Sequence, residues 1–265
     1  MTDAPSPSSA APGSFFGPLP GFDGKVVVVT GSSSGIGEAT VRLAAMSGAK
    51  VVVNSSSSVA AGQAVVAAIG ADRASYVQAD VSSEAGAAAI AAHAAERWGG
   101  IDVLVNNAGT TALIPHRDLE AVDLATWRRI LDVNVIGTWL VTMACLPALR
   151  ASGSGAVVNV TSLAGLRQVG SSIPYATSKA ALNHLTALMA KQTGPEVRIN
   201  AVAPGLVATP WTADWHEQHR GMSQLAPLKR SATAEDIAHA ILTIAANPYT
   251  TGAVLPVDGG AQLVV

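Results

Sequence analysis

The tightest constraint on the fold is a run of four β-branched residues, Val26-Val27-Val28-Val29, which ends at Thr30 and passes straight into a cluster of glycines and serines. An unbroken apolar run has no polar face, so it predicts a strand buried on both sides, as strands of a parallel sheet are. Parallel neighbours need a crossover. Residues Ile36–Ser47 have helical character, Gly48 is suited to end that helix, and Val51-Val52-Val53 supplies a second strand. These pieces make a βαβ unit of about 30 residues.

The alternation continues to the end of the chain. Helices are expected over Ala60–Ile69, Glu84–Trp98, Val133–Leu149, Tyr175–Lys191 and Ala234–Ala246. Strands are expected over Ser75–Ala79, Val103–Val105, Ala156–Val160, Arg198–Val202 and near Val254. Seven strands separated by helices, with no internal repeat, predict an α/β fold. Specifically, residues 23–265 should form a single doubly wound Rossmann domain, a seven-stranded parallel sheet flanked by helices. Leu206–Leu228 breaks the alternation and is expected to form a mobile insertion over the carboxyl edge of the sheet. Residues 1–22 read as a flexible Pro/Ser-rich tail; the other reading has Phe15-Phe16 docking on this or a neighbouring subunit.

Composition narrows the function classes. In 265 residues, 49% are hydrophobic and only 13% charged, the net charge is −2 and the pI is about 6.3. Nothing basic enough to suit nucleic acid is present. Cys145 is the only cysteine, so neither an internal disulfide nor a cysteine-based metal cluster can form. The N-terminal stretch has no secretory pattern, and the charge-free stretch Val133–Leu149 is too short and polar for a membrane span. A cytoplasmic protein is expected. The mean hydropathy of +0.36 with so few charges suggests that part of the surface is covered by another subunit.

The first chemical signal is the turn Thr30-Gly31-Ser32-Ser33-Ser34-Gly35-Ile36-Gly37. Glycines let backbone approach a pyrophosphate, and the N-terminus of the next helix offers unpaired N–H groups and a positive dipole end. Gly31, Ser33, Ser34, Gly35, Ile36 and Gly37 are therefore candidate phosphate contacts. Gly31–Gly35 also satisfies the G-x-S-x-G pattern of a hydrolase nucleophile elbow, but no His-Gly-Gly run is present for an oxyanion hole.

The second signal is Tyr175 and Lys179, one helical turn apart on one face. A free phenol, with a pKa of about 10, is a poor acid or base at neutral pH, and an adjacent ammonium is expected to make it more acidic. Ser162 follows the strand Ala156–Val160 and so should border the same crevice. His216-Glu217-Gln218-His219 falls one residue short of a metal-binding H-E-x-x-H helix, so no metal is expected. Either histidine could touch a substrate. His93 and His184 read as structural or interfacial. Trp211, Trp215, Met222 and Leu225 are expected to form an apolar lid.

Thr-Gly-x-x-x-Gly-Ile-Gly at 30–37, Asn106-Asn107-Ala108-Gly109, Asn134, Ser162, Tyr175 with Lys179, and Pro204-Gly205 come in the order and spacing of the short-chain dehydrogenase/reductase family. The chain resembles that family over residues 23 to 260, and is most similar to its 3-oxoacyl-carrier-protein reductase-like members. The resemblance implies hydride transfer between a nicotinamide cofactor and a ketone or secondary alcohol. Tyr175 would be the acid/base, Lys179 would bind the nicotinamide ribose, Ser162 would hydrogen-bond the substrate oxygen, and Asn134 would hold a relay water. Asn107, Ala108 and Gly109 would shape the floor near the adenosine, Asp80 and Val81 would bracket the adenine, and Pro204, Gly205, Val207 and Thr209 would face the nicotinamide. Pairing of the two long central helices with symmetry mates implies a homotetramer, with a dimer as the alternative.

Cofactor choice turns on the end of the second strand, where NAD-binding folds place an acid for the ribose 2′-OH. Here the segment is Asn54-Ser55-Ser56-Ser57-Ser58. With no carboxylate to repel a 2′-phosphate, NADP(H) is favoured and NAD(H) remains possible. The alternative functions are a catalytically silent dinucleotide-binding protein and a serine hydrolase built on Ser33.

Overall fold

A computed structural model describes residues 17–265. Its central sheet has seven parallel strands: β1 (Val26–Val29), β2 (Lys50–Ser55), β3 (Ala74–Gln78), β4 (Val103–Asn106), β5 (Gly155–Val160), β6 (Val197–Pro204) and β7 (Val254–Val257). They lie in the order 3-2-1-4-5-6-7. The order reverses beside β1, and the crevice at that switch is where doubly wound folds bind ligands.

The all-valine strand β1 is buried because both its faces are covered. Val27 and Val29 point into one core with α1 (Gly35–Met46), α2 (Val59–Ile69) and α7 (Ala234–Ala246). Val28 points into the other, with α3 (Glu84–Trp98), α4 (Leu124–Ala151) and α5 (Ile173–Thr193). This alternation is the two-residue period of a strand, and burying each valine contributes about 1.5–3 kcal/mol. The segment that interrupts the alternation forms a short bridge, Val207–Ala208, paired with Ala232–Thr233, followed by the helix α6 (His216–Leu225).

Two expectations change. Phe22, placed in the tail by composition, is a core residue at 2% exposure, and the Leu19 amide donates to Ser47 Oγ at 2.9 Å. The packed domain therefore includes Leu19 and Phe22. The Phe15-Phe16 pair lies outside the described residues. Helix α4 begins nine residues before the expected Val133, because Asp123 caps it, its carboxylate accepting the Thr126 N–H at 2.7 Å. At Asp132–Ile136 the helix widens into a π-turn. By length and hydropathy alone α4 could cross a membrane, yet one face packs on α3, β4 and β5 and buries Asn134.

Candidate active site

A cavity of about 830 Å³ runs along the carboxyl edge of the sheet, from the glycine turn to the segment carrying α6. At one end, Gly31 and Gly35 take φ of +61° and +57°, a region where a side chain is strained. A Cβ at Gly31 would fall 2.8 Å from Ala108 Cα, and one at Gly37 only 2.5 Å from the Gly31 carbonyl oxygen. The turn thus packs on Asn107-Ala108 only because these positions lack side chains. Ser33, Ser34, Gly35 and Ile36 line the cavity, whereas Gly37 serves the turn from behind.

The starts of α1 and α2 lack the side-chain cap that four other helices have. Ser83, Asp123, Ser172 and Thr233 each accept a backbone N–H at the start of α3, α4, α5 and α7. Ser34 makes no such bond at α1. The open N–H groups and the dipole of α1 face the cavity, an arrangement that fits a diphosphate.

Asn54 lies in the wall of the cavity, but its amide is committed to the protein. Its Oδ1 accepts the Gly31 N–H at 3.2 Å, and its Nδ2 donates to the Val77 and Ala79 carbonyls at 3.2 and 3.0 Å. It braces the turn. Ser55 lines the cavity while bonded to the Tyr76 hydroxyl at 2.8 Å, and Ser56 lines it from an exposed position. Ser57, expected as a contact, stands outside, and Ser58 lines the cavity in its place. Asp80, Val81, Asn107, Ala108, Gly109, Pro204, Gly205, Val207 and Thr209 all line the cavity.

Ser162, Tyr175 and Lys179 converge at the other end. Ser162 follows β5 and caps a short turn, accepting the Ala164 N–H at 3.1 Å. That turn rests on α5 at Gly165, where a Cβ would come within 2.6 Å of the Lys179 backbone, and Asn183 holds its carbonyl at 3.1 Å. The close approach sets the Ser162 hydroxyl beside Tyr175, where it pulls the phenol's pKa downward. Lys179 is buried, its Nζ donating to the Val160 carbonyl at 2.8 Å and lying 5.6 Å from the Tyr175 ring centroid.

The expected acidification of Tyr175 is not found. Burial pushes the phenol above its ordinary value, and the Ser162 hydrogen bond pulls it only partly back. Burial also brings Lys179 down to about 8. Desolvation is the largest cause for both groups, and the ammonium is committed to the Val160 carbonyl.

Asn134 stands behind this group and does not line the cavity. Both its amide hydrogens are taken, by the Thr110 carbonyl and Ser178 Oγ at 3.0 Å each, and its oxygen accepts the Thr110 N–H at 2.8 Å. Its side chain therefore fixes Thr110. A buried ladder ties the sheet to both helices: Asn106 Nδ2 donates to Thr142 and Asn159, and Asn159 Nδ2 to Thr186, each at 2.9 Å.

Trp211, Trp215 and Met222 line the cavity as expected, and Trp211 meets Tyr175 edge-on with centroids 6.5 Å apart. Leu225 instead faces outward, 55% exposed. Neither His216 nor His219 lines the cavity. The His219 ring joins Ser231 Oγ at 2.7 Å and the Thr212 carbonyl at 3.1 Å, stapling α6 to its flanks. No histidine shares the cavity with Ser33, which leaves the hydrolase elbow without a base. Among the described residues no metal-binding cluster occurs. His93 bonds Ser75 at 3.0 Å, the structural role expected of it.

Sequence reasoning missed Thr110, Thr111, Leu113, Arg129, Val169, Ser171 and Gln218, all of which line the cavity. The loops after β4 and β5 were identifiable as carboxyl-edge segments; for Arg129 no sequence signal existed.

The short chain dehydrogenase family model matches residues 25–220. The chain belongs to the short-chain dehydrogenase family. Ketoacyl reductase 2 of the granaticin polyketide synthase from Streptomyces violaceoruber is 52% identical over 169 residues, 63% of this chain and 68% of that one. Cis-4-hydroxycyclohexanecarboxylate dehydrogenase of Sinomonas cyclohexanicum is 38% identical over 243 residues, covering 90% and 97%. The crystal structure of a short-chain dehydrogenase/reductase, a glucose/ribitol dehydrogenase from Brucella melitensis, superposes with a TM-score of 0.85 at 31% identity, covering 91% and 97%. This short-chain dehydrogenase is accordingly an oxidoreductase of ketone and alcohol groups on small molecules, using a nicotinamide cofactor.

Proposed function

We propose that this enzyme reduces a ketone to a secondary alcohol with NADP(H), using Tyr175 as the proton donor. The observation that carries the reading is the paired Tyr175 and Ser162 hydroxyls over a buried Lys179, in one cavity with the uncapped start of α1. When bound, the nicotinamide cofactor supplies the hydride. The chain supplies the rest. Gly31, Ser33, Ser34, Gly35 and Ile36 hold the diphosphate against the α1 dipole. Ser55, Ser56 and Ser58 face the ribose with hydroxyls and no carboxylate, which supports a 2′-phosphate. Ser162 donates a hydrogen bond to the substrate oxygen, and Tyr175 Oη passes its proton to that oxygen as charge develops there. Because burial keeps the phenol protonated at neutral pH, Tyr175 is in the state that reduction requires. Lys179 holds its ammonium beside the phenol and steadies the charge left on it.

We also propose a homotetramer. Ile136, Trp139 and Met143 on α4 and Leu188 on α5 are each exposed by 41 to 52%, an apolar surface suited to a second copy.

The test is turnover of purified protein with NADPH and with NADH against a panel of linear, cyclic and steroidal ketones. Reduction of at least one class, faster with NADPH, is expected. Tight NADPH binding with no turnover across the panel would favour a silent dinucleotide-binding protein. Light scattering on the eluted protein checks the tetramer.

A further inference from the structure

Two cations line the cavity, and the mechanism uses only Lys179. The other, Arg129, comes from the first half of α4 and reaches the loop after β4. Its Nη1 donates to Thr110 Oγ1 at 2.7 Å and to the Thr111 carbonyl at 3.2 Å. Both partners are neutral. Arg129 forms no ion pair among the described residues, although the exposed Asp123 at the start of the helix feels its charge. Next to it, the Thr111 hydroxyl pairs with Ser171 Oγ, and Ser171 lies four residues before Tyr175 on the cavity wall. A guanidinium presents five donors in a planar fork suited to a carboxylate, and here only one nitrogen is engaged. The cavity lining also includes the apolar Leu113, Val169 and Met222, together with the polar Gln218. Arg129 is itself exposed, but a guanidinium with no carboxylate partner, at the rim of the cavity with two hydroxyls beside it, suits an anion brought by a ligand.

We propose that Arg129, with the Thr111 and Ser171 hydroxyls, forms a second anchoring point in the cavity for a carboxylate carried by the substrate away from its reacting carbonyl. This rests on the reading of the enzyme as a ketone reductase and adds the class of ketone: an oxo acid rather than a neutral ketone. The anchor fixes which way round the substrate enters and so which carbon is presented to Tyr175 and Ser162. Thr110 and Thr111 are held in place by the same arginine, so its charge and its bracing have to be separated.

The experiment compares 4-oxocyclohexanecarboxylate with its neutral isostere 4-oxocyclohexanecarboxamide as substrates of wild type, Arg129→Gln and Arg129→Lys. Wild type should favour the carboxylate, and in Arg129→Gln the carboxylate-to-amide ratio of kcat/KM should fall at least tenfold, mainly through KM. Arg129→Lys should keep an intermediate ratio. A wild type with no preference, or an Arg129→Gln that loses both substrates equally, would reduce Arg129 to a brace and overturn the proposal. An equal loss of NADPH affinity in Arg129→Gln would place the anion on the cofactor and overturn it too. If neither ketone is turned over, the failure lies with the ketone-reductase reading. Calorimetric binding of cyclohexanecarboxylate to the NADPH complexes then decides the anchor separately: weaker binding to Arg129→Gln supports it, and equal binding contradicts it.

Discussion

At the nucleotide end of the cavity the shape is made by backbone, and at the substrate end by side chains. Gly31, Gly35 and Gly37 let the turn close on Asn107-Ala108, the first turn of α1 is left open, and Asn54 has its amide fully committed to holding that arrangement. At the other end, Thr111, Arg129, Ser162, Ser171, Tyr175 and Trp211 arrive from separate segments and meet only in the folded chain. The first end presents N–H groups that any dinucleotide can use. The second presents an arrangement of side chains that can change without disturbing the sheet. The chemistry common to the family and the choice of substrate are thereby kept apart.

The strongest way to break this comparison is to add a side chain where backbone does the binding. A Cβ at Gly37 would fall 2.5 Å from the Gly31 oxygen and 2.6 Å from Asn107 Nδ2. Gly37→Val should force the turn open at a cost of roughly 3 kcal/mol, which is a loss of about 10²-fold in NADPH affinity. Fluorescence titration of NADPH, with a thermal melt to confirm folding, measures it. Wild-type affinity in that variant would mean that the turn does not hold the nucleotide.

Lys179 lies at the seam between the two ends, and its burial can be tested through stability. Desolvation holds its pKa at about 8, against an ordinary 10.5. The unfolded chain therefore binds more protons than the folded one between those values, and stability rises with pH across that window. Below pH 8 the buried charge carries its full cost. Relative to Lys179→Met, wild type should gain about 1.4 kcal/mol per pH unit above pH 8. Denaturant unfolding of both proteins across the window checks the sign, and a flat difference would show that the ammonium is solvated.

A smaller effect sharpens the nucleotide end. Ser56→Asp places a carboxylate on the exposed lining after β2, where it would repel a 2′-phosphate and accept from a 2′-OH. The ratio of kcat/KM for NADPH over NADH should fall by about tenfold. An unchanged ratio would remove Ser56 from the ribose site.

The same contrast explains what was legible in the sequence. The glycine turn, the valine strand and the Tyr175/Lys179 spacing are local patterns, so residue order alone carries them. Two features depend on distant chain, and a third on one local cap. Arg129 and Ser171 meet Thr111 from 18 and 60 residues away along the chain, for which no periodicity exists. The acidity of Tyr175 is set by burial, which spacing cannot report, and the expectation from its neighbouring charge has the wrong sign. The early start of α4 follows from a single capping bond at Asp123. Phe22 was misplaced because composition averages over a segment, whereas burial is decided residue by residue.

The central claim is that the Tyr175 phenol delivers the proton. Tyr175→Phe removes one oxygen and retains the ring that meets Trp211. Its NADPH dissociation constant and its kcat on a ketone that wild type reduces should be measured on the same preparation. The account predicts nucleotide affinity within a few-fold of wild type and kcat lower by at least about 10²-fold; a kcat near that of wild type would contradict it.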